Sequence, residues 1–169
     1  MQTKKLTLCA VLTALALALG ILERYLPLSL LLPLPGIKLG LANIVTLFAL
    51  YELGLPYAAA ILLLRIMLGS IYAGSITSLL YALSGGALSL GVMAIARRNP
   101  HLSIYGVSVL GAAAHNIGQI LAASAVLASP AAMTYLPVLL AVSVGTGLLI
   151  GAVAAVMLHR LPTIRRDAK

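Results

Sequence analysis

The sequence predicts an all-α integral membrane protein, a bundle of six transmembrane helices with both termini on the cytoplasmic side. Three observations predict it. The chain of 169 residues is 62% hydrophobic and only 8% charged, whereas a soluble domain carries about 25% charged residues. Its apolar residues fall into six runs near the length of a membrane span. Its lysines and arginines recur at the ends of alternate runs, the asymmetry that sets membrane orientation.

A hydrocarbon core of about 30 Å takes about 20 helical residues, or fewer where the bilayer thins. The first run covers roughly 6–22, behind Lys4 and Lys5. The second, 39–53, follows the Pro35-Gly36 turn signal and is short for a full span. The third, 55–72, is separated from it only by Gly54-Leu55-Pro56. The fourth, 75–96, ends on Arg97 and Arg98. The fifth covers 103–128, and the sixth 136–159, followed by Arg160, Arg165, Arg166 and Lys169. Backbone facing lipid must satisfy its own hydrogen bonds, so the runs are helices. None alternates at period two over the length of a barrel strand. The length allows one transmembrane domain, 1–169, and no separate soluble one. Lys4-Lys5 with Ala16-Leu17-Ala18 also has the look of a signal peptide, but the spans that follow favour an uncleaved first helix.

With six spans, the N-terminus, the Arg97-Arg98 loop and the basic tail share one side, which is therefore cytoplasmic. A multi-pass protein of the cell (cytoplasmic) membrane is expected, surrounded by the lipid bilayer. Glu23, Arg24 and Lys38 fall on the opposite side.

The formal net charge of +8 does not imply nucleic acid, because the chain has no basic stripe on a soluble face and no aromatic platform for bases. The single cysteine, Cys9, excludes an internal disulfide and a cysteine-based metal cluster. There is no Walker motif for nucleotide hydrolysis. No paired carboxylates suit magnesium-diphosphate chemistry, and no carboxylate is placed to orient a Ser-His pair. Enzyme activity, a metal site and a resident cofactor are not expected.

Three cations break the topology pattern: Arg24, Lys38 and Arg65. A cation inside a span costs roughly 2.5–3.5 kcal/mol on insertion scales and marks a functional site by default. Arg65 lies about ten residues into the third span, at middle depth or beyond. Its planar fork suits a carboxylate or a phosphate. Snorkelling to the headgroups is the competing explanation. Glu23 is the carboxylate on that side, so an Arg65–Glu23 or an Arg24–Glu23 pair is possible. Lys38 stands where the second helix begins, and a helix N-terminus with a lysine makes a plausible anion cradle, unless Lys38 merely snorkels from a tight loop. Asn43 follows one turn below.

The fifth span carries His115, Asn116 and Gln119 at a depth similar to Arg65. His115 and Gln119 share a helix face. The cluster either contacts a ligand or joins helices by hydrogen bonds. In the first span Ala10, Ala14 and Ala18 repeat every four residues, a smooth stripe for close helix approach, internal or external.

Pro35-Gly36-Ile37-Lys38-Leu39-Gly40-Leu41-Ala42-Asn43-Ile44-Val45-Thr46-Leu47, with the Glu23-Arg24-Tyr25-Leu26-Pro27 lead-in, resembles the signature of the Gx transporter family, also labelled heptaprenyl diphosphate synthase component I. The resemblance covers essentially the whole chain. More distantly, the chain is similar to the substrate-binding S components of energy-coupling factor (ECF) transporters, which are six-helix proteins with both termini inside. The resemblance implies a ligand bound beneath the outer loops and a first-helix Ala-x-x-x-Ala face, matched by Ala10, Ala14 and Ala18, that docks on a coupling transmembrane subunit served by ATPase subunits.

The expected function is therefore that of an S component capturing a small anionic vitamin or cofactor precursor. Arg65 would be the main contact, Lys38 and Arg24 would close the site, and Asn43, His115, Asn116 and Gln119 would orient the ligand. Tyr72, at the outer end of the third span, would stack on a ring. The alternative is a non-catalytic membrane subunit of heptaprenyl diphosphate or quinone biosynthesis. The chain lacks the aspartate-rich motifs that a prenyl-chain synthase would use.

Overall fold

The computed structural model describes residues 2–25 and 40–161. Among the described residues six α-helices follow one another: α1 (Gln2–Tyr25), α2 (Leu41–Glu52), α3 (Leu55–Ala73), α4 (Ile76–Ala96), α5 (Ile104–Val126) and α6 (Leu136–Arg160), with a 3-10 helix at Pro130–Tyr135 ahead of α6. No strand occurs among the described residues. The chain is a helical, multi-pass membrane protein.

Among the described residues five helical segments are long and apolar enough to cross a membrane: Thr3–Glu23, Leu55–Ala73, Ile76–Ala96, Ile104–Val126 and Pro130–Arg160. The second run, expected over 39–53, forms the 12-residue α2 instead. At 1.5 Å per residue α2 is about 18 Å long, well short of a hydrocarbon core of about 30 Å.

α2 is short but central. Ala42 through Leu50 are all buried, and the helix touches α1, α3, α4 and α6. Among lipid tails, apolar contact gains little over lipid, so association depends on close packing and hydrogen bonds. α2 supplies Ala42 against α1, where a Cβ on Gly20 would lie 3.9 Å from the Ala42 Cβ. An arginine caps its far end. Arg97, directly after α4, donates to the Leu50 carbonyl and, at 3.4 Å, to the Tyr51 carbonyl. It also stacks 4.9 Å from the centre of the Tyr51 ring. The last carbonyls of a helix lack partners within it, and a cation there also meets the negative end of the dipole.

Contacts at both ends register the helices. Lys5 Nζ lies 5.8 Å from the Tyr57 ring centre, and the Tyr25 and Tyr72 hydroxyls share a 2.9 Å hydrogen bond. α1 and α3 therefore run parallel. α3 and α4 join at a sharp corner: Gly74 at φ 60 closes α3 by donating to Ser70 and Ile71 carbonyls, and the Ser75 hydroxyl accepts from the Ser78 N–H to open α4. Glycine adopts that backbone without the penalty of a Cβ.

The α4–α5 and α5–α6 seams are closed by glycine. A Cβ on Gly118 would sit 2.7 Å from the Ser84 carbonyl oxygen, and one on Gly147 would sit 2.6 Å from Val109 Cα. Ser84 Oγ donates to the Gly118 carbonyl at 2.7 Å.

Candidate functional site

Arg65 lies ten residues into α3 and is half-buried as a residue, but its Nε is enclosed and has no hydrogen-bond partner among the described residues. Its Nη2 donates to Asn43 Oδ1 at 2.9 Å. Asn43 is buried in the first turn of α2. The interior-facing alternative for Arg65 thus describes its head group better than snorkelling does.

The head of α2 is built around Gly40, at φ 75, in the left-handed region. A Cβ there would be strained and would lie 3.1 Å from Asn43 Nδ2 and 3.4 Å from Ile150 Cδ1 of α6. This bend lets the Gly40 N–H donate to Glu23 Oε1 at 2.6 Å. Glu23 comes from the last turn of α1 and is buried. Its carboxylate also acts electrostatically on the Arg65 guanidinium. Glu23, Gly40, Asn43 and Arg65 thus form one polar patch where α1, α2 and α3 meet.

Arg24 lies in the last turn of α1, but its side chain lies outside the described residues, and so does all of Lys38. Tyr72 is exposed at the end of α3 and joins Tyr25 above the patch.

The α5 residues divide between two faces. Asn116 is buried, and its Nδ2 donates to Ser143 Oγ at 2.8 Å and to the Leu139 carbonyl at 3.2 Å on α6. That arrangement favours the helix-joining alternative for Asn116. His115 and Gln119 share the opposite seam, as their spacing predicts. A Cβ on Gly85 of α4 would meet the His115 carbonyl and Gln119 Cγ, both at 2.8 Å. The adjoining Gly86 faces the other way, where a Cβ would meet Leu62 and Ile66 of α3 at 3.0 and 3.1 Å. The Gly85-Gly86 pair therefore sets Arg65's turn of α3 and the His115–Gln119 turn of α5 at one depth, with the thin backbone of α4 between them.

Ala10, Ala14 and Ala18 are all exposed, on the face of α1 that also carries Val11 and Leu15. The opposite face, with Leu12, Thr13 and Ala16, is buried. Among the described residues no group of three His, Cys, Asp or Glu is placed to hold a metal.

Sequence reasoning misses Gly85-Gly86, and it reads Arg97 as a topology signal rather than as the cap of α2. The Ser84-Gly85-Gly86 run was a usable sign, since small residues within a span mark close helix approach. Arg97 carried none, because a basic residue at a helix end serves equally as a topology signal.

A short buried helix, held at both ends by arginine inside an apolar bundle, defines a polytopic membrane protein organised around an interior polar patch. The family model described as heptaprenyl diphosphate synthase component I matches residues 12–157. The chain belongs to that family, whose description is of a component. No curated protein and no solved structure matches the chain.

Proposed function

We propose that the protein is the substrate-binding membrane subunit of an ECF-type importer in the cytoplasmic membrane, with both termini inside, taking a small anionic vitamin or cofactor precursor. The observation that carries this reading is Arg65. A guanidinium with an enclosed, unpartnered Nε among the described residues and a fixed Asn43 partner is a costly feature in an apolar bundle. An anion on the free edge of its fork compensates that cost. His115 and Gln119 stand level with Arg65 but behind the backbone of α4, packed against Gly85, so the ligand is held from the Arg65 side. In this reading Lys38 and Arg24 contribute positive charge, and Tyr72 stacks on a ring.

Delivery inward falls to a coupling transmembrane subunit with its ATPases. The exposure of Ala10, Ala14 and Ala18 supports docking there, because a small-residue face admits a partner helix at close range. In this reading α2 counts as a sixth, shortened membrane helix.

The family's description favours a second reading, a non-catalytic membrane subunit associated with heptaprenyl diphosphate or quinone biosynthesis. Purification from native membranes separates the two. The importer reading expects a coupling subunit and ATPases to copurify, and a thermal shift with a flavin, thiamine-like vitamin or naphthoate. Copurification of a prenyltransferase without a coupling subunit, and a shift with prenyl diphosphates alone, overturns it in favour of the second.

A further inference from the structure

We infer that Glu23 is a resident anion, seated on the Gly40 N–H at the head of α2 and displaced when an incoming carboxylate, phosphate or sulfate group binds. The inference rests on the anion-site reading and adds to it a competitor built into the chain.

The start of a helix is an anion position, because its first N–H groups lack helical partners and the dipole is positive there. In this molecule the position is filled by the chain's own carboxylate, with Gly40 N at 2.6 Å from Glu23 Oε1. A buried carboxylate is stable only with such partners, and Glu23 is 8% exposed. Next to Gly40 stands the Asn43 amide, whose oxygen carries Arg65. Arg65 Nε remains enclosed and without a hydrogen-bond partner among the described residues. Glu23 thus balances the cation without saturating it, and a ligand that satisfies the guanidinium more fully takes over its role.

Displacement also has a mechanical consequence. The Glu23–Gly40 bond ties the end of α1 to the head of α2. A ligand that removes Glu23 from Gly40 releases that tie, so occupancy of the site is transmitted to α1. This is the helix whose outward face carries Ala10, Ala14 and Ala18.

Calorimetric titration of the purified full chain in detergent with sulfate, which does not titrate near neutral pH, tests the inference. Glu23→Gln removes the charge and leaves a weaker neutral acceptor, so sulfate binds about tenfold tighter or better than to the unaltered protein. Its melting temperature is lower without sulfate and recovers with it. Glu23→Asp keeps the charge but draws it back from Gly40, and gives a smaller gain in affinity. It serves as the readout if Glu23→Gln does not fold. Arg65→Gln abolishes binding in every background. Unchanged or weaker sulfate binding by the Glu23 variants, with loss on Arg65→Gln, overturns the resident anion and leaves the anion site standing. Sulfate binding absent throughout, or indifferent to Arg65→Gln, overturns both.

Discussion

Arg65 and Asn43 are joined by a 2.9 Å hydrogen bond from guanidinium Nη2 to amide Oδ1, linking the middle of α3 to the first turn of α2. The bond places a charged donor on a neutral, buried acceptor. It orients the guanidinium without neutralising it. An asparagine there positions the cation, whereas a carboxylate at the same place would compete with any anionic ligand.

Asn43→Leu should therefore act on stability and on binding together. Loss of a bond to a charged group costs about 1.5–3 kcal/mol, read as a lower melting temperature in detergent. Arg65→Met alone should also destabilise the protein by leaving Asn43 unsatisfied. The double variant should lose less than the sum of the two, because each removes the other's partner. Strict additivity would show that the two residues act independently.

Arg97 should behave as a structural residue of α2. Arg97→Leu leaves the Leu50 and Tyr51 carbonyls unserved and removes the stack on Tyr51. The expected loss is about 1–3 kcal/mol, the cost of leaving buried acceptors unpaired. Arg97→Lys should recover only part of it, since one ammonium group cannot reproduce a planar fork that bonds and stacks at once. Thermal melting of the three proteins decides this, and full recovery by lysine would contradict the capping role.

The glycines divide into two predicted classes. Gly118→Ala and Gly147→Ala place a Cβ against backbone of the neighbouring helix, so the α4–α5 and α5–α6 seams must part and the melting temperature should fall sharply. Gly91→Ala and Gly145→Ala meet nothing within 4 Å. They should be neutral or stabilising by up to about 1 kcal/mol, the helix-propensity gain of alanine.

Ala14→Leu should leave the melting temperature and ligand affinity unchanged, because Ala14 faces out of the bundle. On the importer reading proposed above, copurification with a coupling subunit should be lost. A variant that melts early would mean that the face packs within the protein after all.

Much of the helical frame was legible from hydropathy. The third run, read as 55–72, forms Leu55–Ala73, and the sixth, read as 136–159, forms Leu136–Arg160. The N-capping serines Ser75 and Ser103 stand at the starts expected for the fourth and fifth runs. The centrality of α2 was not legible, because Leu47 or Leu50 contributes the same hydropathy facing lipid or facing another helix. Nor did sequence show that Gly40 turns its N–H to Glu23, which depends on a left-handed residue at one position. Arg65's depth was legible from its place in an apolar run. Its bond to Asn43 was not, since the two residues lie 22 positions apart on different helices. The i, i+4 spacing of His115 and Gln119 revealed their shared face, but Asn116's bonds to α6 needed the packing itself.

The most direct test of an anion site at Arg65 is native mass spectrometry of the protein extracted from cells in mild detergent. The unaltered protein should carry a small anionic molecule in a one-to-one complex, and Arg65→Gln should lose it while keeping its helical content. Absence of any bound small molecule, or its full retention by Arg65→Gln, would contradict the account.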